Sequence, residues 1–263
     1  MGYFEGALFG TSIQDVDILR LPAAFSPTTS IGDRAMNHVF TPPEASSLAV
    51  ADSDLRFPVR RVYCVGRNYA AHTREMGHDP DREDPFFFQK NPDSLLPGGS
   101  ILPYPPASKD LHFEIELVCA LGQGGAKIPT DRALDHIWGY AVGIDMTRRD
   151  LQGEAKKLGR PWEAGKSFDH AAPCSRVHPV TRTGHPTKGR IWLEVNGKIR
   201  QDGDLGELIW PVAGIIERLS SLFTLAAGDL IFTGTPAGVG AVERGDVMVG
   251  GVEGIDEIRI EVG

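Results

Sequence analysis

The chain has 263 residues, 41% of them hydrophobic and 24% charged, which is enough apolar material for one large domain or two small ones. Its 27 Lys+Arg against 35 Asp+Glu give a formal net charge of −8, which argues against nucleic acid as a partner, because phosphates demand a basic surface. No apolar run approaches the ~18 residues of a membrane span, the N-terminus lacks the pattern of a secretory signal, and the three cysteines form neither a disulfide framework nor a zinc ribbon.

A soluble, cytoplasmic, globular protein is therefore expected, with 31 Gly and 19 Pro favouring short strands and turns. Residues 1–57 show no sustained period. Met36 opens a stretch that reads as a natural start, so 1–35 are expected to be an N-terminal extension and 36–60 an arm leading into a domain over 61–263. VRRVYCVG reads as a strand turning at Gly66 into a short helix, with Asn68 as its N-cap and Gly77 beyond its end. Residues 78–85 read as a loop, and PFFFQK as a buried strand.

LHFEIELVCALG alternates clearly, with Leu111, Phe113, Ile115 and Leu117 on one face and His112, Glu114 and Glu116 on the other. HIWGYAVGID is a further apolar strand ending at Asp145. The next segment predicts a helix with a Thr147-x-x-Asp150 capping box and a stop at Gly159. RIWLEVNGKIRQD predicts a hairpin around Asn196-Gly197, the pair suited to a type I′ turn. Val212, Ile215, Ile216, Leu219 and Leu222 step at helical spacing after Pro211. GDLIFTGTPAGVG is a strand entering a Gly-rich loop, and EIRIEV a final alternating strand. Strands outnumber helices without regular alternation, so a β-rich sandwich or roll with a few helices is preferred to a doubly wound sheet.

Several groupings offer chemistry, each with a plainer alternative. Glu114 and Glu116, at i and i+2, project from one strand face. That face is either the solvated side of an edge strand or half of a hard-cation site that Asp145 completes. His72 and Glu75 share a helix face, either as a surface pair or as an imidazole oriented by a carboxylate to act on water. Arg149 and Gln152 repeat that spacing at a helix start suited to an anion, or form an ordinary polar face. Lys166 is placed in a loop, where a solvated charge is the usual reading. The Gly234–Gly240 segment lacks the Lys-Ser/Thr ending of a P-loop, and no zinc-protease HExxH or serine-hydrolase GxSxG spacing is present.

Taken together, VYCVGRNYAAHTREMG, PFFFQKNPDSLLPGG, LHFEIELVCALG, GYAVGIDMTRRDLQ, LGRPWEAGKSF, IWLEVNGKIRQDG and GDLIFTGTPAGVG resemble the fumarylacetoacetate hydrolase superfamily, in its small acylpyruvase and fumarylpyruvate hydrolase branch. The resemblance implies an α+β, β-rich fold of the mixed sandwich or roll type, a homodimer, and one Mg²⁺ or Mn²⁺ per subunit. By motif, Glu114, Glu116 and Asp145 match metal ligands, His72 and Glu75 a water-activating dyad, and Lys166 a lysine near the reacting oxygens. Arg149, Gln152 and Thr235 match positions around a bound 2-oxo acid, while Arg67 and Lys90 border the cleft. Lys90-Asn91-Pro92 departs from the Lys-Pro expected in many relatives. The implied reaction is hydrolysis of a 3-acylpyruvate, a 2,4-dioxo acid, with fumarylpyruvate giving fumarate and pyruvate as in gentisate breakdown. Oxaloacetate decarboxylation or isomerisation of a 2-hydroxy-dienedioate are the alternatives on the same scaffold, and a catalytically silent binding protein is a third.

Overall fold

A computed structural model describes residues 38–75 and 84–263. The chain divides into two compact units, Met1–Pro43 and Glu44–Gly263, and in the first only residues 38–43 are described. The expected extension over 1–35, the stop at Gly77 and most of the 78–85 loop lie outside the described residues.

The second unit is built on an eight-stranded mixed sheet. Its order is Phe86–Lys90, Arg61–Gly66, Asp229–Phe232, Ile115–Leu121, Ile137–Ile144, Ala172–Cys174 and Leu95–Pro97, with His178–Pro179 also pairing with Ile137–Ile144. Most pairings are antiparallel, but Asp229–Phe232 runs parallel to Arg61–Gly66, and Ala172–Cys174 parallel to Leu95–Pro97. A five-stranded sheet, Lys198–Asp204, Arg190–Val195, Val247–Val252, Asp256–Val262 and Ile101–Leu102, forms the second layer. The three short strands Thr147–Arg148, Leu111–Phe113 and Gly240–Val242 pair separately beside them.

Strand periodicity explains the layering. Leu117, Cys119 and Leu121 belong to one hydrophobic cluster, which also takes residues of the five-stranded sheet and of the helix Val212–Leu222; Val118 and Ala120 belong to another. Tyr63 and Val65 against Val62 and Cys64 repeat the division. The central strands are therefore buried on both faces, as a β-rich sandwich or roll requires. Leu48, Val50, Phe57 and Val59 pack into the second cluster, so the core begins well before residue 61.

The hairpin forms as predicted, with Asn196 (φ 53°) and Gly197 (φ 74°) both in the left-handed region that a type I′ turn needs. Helix α2 (Arg149–Leu158) ends on Gly159 at φ 62°, also as predicted. The capping box at its start does not form. Thr147 Oγ1 donates to the Asp145 carbonyl, while the Asp150 carboxylate accepts from Ser108 Oγ and the Lys109 amide. The Phe86–Lys90 strand is only half-buried over its three phenylalanines, and its end, Lys90, is buried.

Asn68 also departs from its expected role at the start of α1 (Ala70–Glu75). Its amide donates to the carbonyls of Trp210 and Thr233 at 3.0 and 2.8 Å, and its Oδ1 accepts from the Trp210 amide at 2.7 Å. Fully buried, it ties the entry of α1 to the loop after Asp229–Phe232 instead of capping the helix. Substituting Asn68→Ala strands those backbone groups in the interior. Urea unfolding should show a loss of about 2–4 kcal/mol, and a loss below about 1 kcal/mol would remove this bracing role.

Candidate active site

The site is assembled by strand register. Ile115 pairs with Ile144, and the Asp145 amide donates to the Glu114 carbonyl at 2.8 Å, so residues far apart in sequence stand side by side. Glu114 lies where the chain passes from Leu111–Phe113 into Ile115–Leu121, and Glu116 follows on a central strand. This disposes of a solvated edge strand. Glu114, Glu116 and Asp145 are all buried, each with a carboxylate oxygen within 4.8 Å of the others.

Three buried carboxylates repel strongly unless cations neutralise them. Lys166 closes α3 (Glu163–Lys166), so it is helical and not in the expected loop, and it is buried. Its Nζ donates to Glu114 Oε2 and Asp145 Oδ2, both at 2.7 Å. Gly165 makes this approach possible, because a Cβ there would meet Gln152 backbone and side-chain atoms at 2.9–3.0 Å. Arg149 Nη2 reaches Glu114 Oε1 at 2.5 Å, and Nη1 donates to Gln152 Oε1 at 2.7 Å.

Lys90 Nζ lies 2.8 Å from Asp145 Oδ1 but donates its hydrogen bonds to the carbonyls of Met146 and Lys166. Asp145 Oδ1 is thus a buried oxygen with an ion pair and no hydrogen bond. Glu116 Oε2 accepts only the Gly234 amide, at 2.7 Å, among the described residues.

The charges respond to these surroundings. Burial raises the Glu114 carboxyl, but Lys166, Arg149 and His72 overcome it and hold the group well below the usual carboxylate range. Burial, with the Asp145 and Glu114 charges added, pushes Glu116 well above that range. Burial alone would lower Lys166, yet Asp145 and Glu114 raise it and keep it an ammonium. An added divalent cation would relieve the strain at Glu116 and take up the spare lone pairs of Asp145 Oδ1. The all-oxygen, anionic donor set suits a hard ion, so Glu114, Glu116 and Asp145 fit the role of metal-holding residues.

Arg67, His72, Arg149, Gln152, Lys166 and Thr235 line the same cleft as the three acids. His72 is buried, with Nδ1 3.4 Å from Glu75 Oε2, and Glu75 stands at the exposed end, where it also accepts the Gly238 amide at 3.2 Å. Burial lowers the His72 pKa from 6.5 despite the nearby Glu114 and Glu75 charges. Thr235 Oγ1 is fixed by Gln201 Nε2 at 2.8 Å. Lys90, expected on the cleft border, stands behind Asp145 and does not line the cleft.

Some participants were not singled out from the sequence. Gln201 accepts the Ile115 amide and donates to Thr235 and the Pro236 carbonyl, so the hairpin strand positions both cleft walls. Phe86, Phe88, Trp162 and Lys156 complete the walls. The period-2 spacing of Phe86 and Phe88 and the place of Lys156 one turn beyond Gln152 were the available signals.

A fumarylacetoacetate hydrolase C-terminal family profile matches residues 61–263. The chain belongs to the fumarylacetoacetate hydrolase family. A fumarylpyruvate hydrolase of Ralstonia sp is 46% identical over 190 residues, 72% of this chain and 98% of the relative. The mitochondrial oxaloacetate tautomerase FAHD1 of Rattus norvegicus is 41% identical over 203 residues, 77% of this chain and 91% of the relative. The crystal structure of fumarylpyruvate hydrolase from Pseudomonas aeruginosa in complex with Mn²⁺ and pyruvate superposes with TM-score 0.85 at 53% identity. That match covers 86% of this chain and 99% of the other.

The triad's role as cation holder has a direct test. Asp145→Asn should weaken Mn²⁺ binding at least about tenfold, read as free Mn²⁺ by electron paramagnetic resonance. Unchanged affinity would take the triad out of the metal site.

Proposed function

We propose that this chain is a metal-dependent hydrolase that cleaves the C–C bond of a 3-acylpyruvate, with fumarylpyruvate giving fumarate and pyruvate. The observation that carries the reading is a buried carboxylate triad in the same cleft as a buried imidazole backed by a carboxylate. Identities of 46% and 53% to fumarylpyruvate hydrolases support the substrate. We extend the proposal to a cytoplasmic homodimer with one Mg²⁺ or Mn²⁺ per subunit and a catalytic domain over 61–263; the free, buried Cys64, Cys119 and Cys174 are in keeping with a reducing compartment.

The cation held by Glu114, Glu116 and Asp145 supplies Lewis-acid stabilisation of the negative charge that develops on the pyruvate oxygens. Arg149 and Gln152, already joined by a hydrogen bond, and Thr235, held by Gln201, grip the 2-oxo acid end. With its Nδ1–H directed at Glu75, His72 keeps the Nε2 lone pair for a water molecule. Burial keeps the imidazole neutral, as a base must be.

Water adds to the distal carbonyl while His72 takes its proton. The bond between C3 and C4 then breaks, its electron pair leaves on C3 as the pyruvate enolate, and a proton from the imidazolium completes pyruvate. Lys166 holds an ammonium beside the developing charge, a task in which preorganised donors contribute ~3–4 kcal/mol. Decarboxylation of oxaloacetate or isomerisation needs no activated water, so the His72–Glu75 pair favours hydrolysis.

The test follows the enol ultraviolet absorbance of fumarylpyruvate with Mg²⁺ or Mn²⁺ and then with EDTA. Loss of absorbance with equimolar fumarate and pyruvate, abolished by EDTA, is the expected result. No loss in folded, metal-replete protein would reject the substrate. His72→Ala should lower kcat about 10³-fold while Mn²⁺ affinity stays near wild type. Because the His72 pKa lies below 6.5, kcat/KM should fall on the acid side with an apparent pKa below that value. An acid limb that persists in a still-active His72→Ala variant would exclude His72 as the base.

A further inference from the structure

The cations of the cleft differ in how they are partnered. Arg149 faces Glu114, Lys166 bridges Glu114 and Asp145, and Lys90 lies against Asp145 behind the wall. Each is matched by a carboxylate of the protein itself. Lys156 also lines the cleft, half-buried, yet it faces no carboxylate at ion-pair distance among the described residues. Its Nζ instead stands 5.0 Å from the centre of the Trp162 ring.

Lys156 is on the same face of α2 as Arg149 and Gln152, one turn, ~6 Å along the axis, beyond Gln152. Around it the wall changes character. Phe86 and Trp162 meet edge to face at 5.1 Å, and the Arg67 guanidinium lies 5.3 Å from the Phe86 ring centre. At the triad, Lys166 thus has two carboxylate partners with the Phe88 ring 5.0 Å away, whereas Lys156 has the Trp162 ring and, among the described residues, no carboxylate at ion-pair distance.

We propose that Lys156, above the Phe86–Trp162 pair and with Arg67 adding positive potential, is the subsite for a second carboxylate on the acyl arm, so that the cleft selects dianionic acylpyruvates over those with a neutral arm. The proposal rests on the reading that Arg149, Gln152 and Thr235 hold the 2-oxo acid end. From that end a seven-carbon dioxo diacid places its second carboxylate six C–C bonds away, roughly 7 Å, a distance that a lysine one helical turn on can meet. The flat, conjugated middle of such an acid matches aromatic walls.

The free protein bears a cost at this point. Burial and the neighbouring Arg149 and Arg67 charges push the Lys156 ammonium down to about 8. A carboxylate bound there removes the mismatch. A cation near a helix C-terminus also stabilises the helix by itself, which Lys157, exposed at the same helix end, does equally. The experiment therefore compares ligands and does not rely on stability.

The probes are two seven-carbon 2-oxo acids without the 4-oxo group, so neither is cleaved: 2-oxopimelate, with a distal carboxylate, and 2-oxoheptanoate, without one. Calorimetry on the Mn²⁺-loaded protein should show 2-oxopimelate binding about tenfold tighter or more. Lys156→Met should reduce that preference to within about twofold, and Lys156→Arg should keep most of it. An unchanged preference in Lys156→Met, or equal weakening of both acids, overturns the subsite. If the preference behaves as expected while fumarylpyruvate is not turned over, the carboxylate subsite stands and the hydrolase reading falls. If wild type prefers neither acid, the subsite falls whatever the turnover.

Discussion

Two buried lysines and an arginine pair with Glu114 and Asp145 beside a third buried carboxylate, Glu116, and the rest of the cleft is arranged around that charge cluster. Lys166 donates to Glu114 and Asp145, Lys90 backs Asp145, and Arg149 covers the outer side of Glu114. Breaking such a pair costs about 3–5 kcal/mol, because the partner is left charged in the interior. A fold accepts that exposure to risk when the charge has work to do. The residual imbalance sits at Glu116, whose carboxyl is pushed up by burial and by its two acidic neighbours. A hard divalent cation would resolve it, and the proposed metal site rests on that imbalance.

The supporting elements each answer to this cluster. The register between Ile115–Leu121 and Ile137–Ile144 brings Asp145 beside Glu114. Gly165 lets α3 close against α2 and delivers Lys166. Asn68 fastens the entry of α1, and so His72, to the loop whose Gly234 amide binds Glu116. Gln201 joins the Ile115 amide to Thr235. Rigid strands and buried hydrogen bonds thus set the distances among His72, the three acids and Thr235, as the proposed hydrolysis requires.

Much of this was legible in the sequence, for definable reasons. Strand alternation exposed the inward rows, Asn196-Gly197 announced its turn, and Glu114-x-Glu116 placed two carboxylates together. Capping motifs were less informative. Thr147 and Asp150 had nearer partners at the Asp145 carbonyl and at Ser108 and Lys109, and the Asn68 amide found carbonyls from distant loops. Tertiary hydrogen bonds outcompeted the local ones in each case. Lys156 was legible only through its place one turn beyond Gln152, which puts it rather than Lys157 on the cleft face of α2.

If His72 activates water, solvent oxygen enters the acyl product. Fumarylpyruvate turned over once in H₂¹⁸O and analysed by mass spectrometry tests it most directly. Fumarate carrying one ¹⁸O in a carboxylate and a pyruvate carboxylate without label are the expected products. Carbon dioxide as product, or fumarate formed without label, would contradict hydrolysis and the role given to His72.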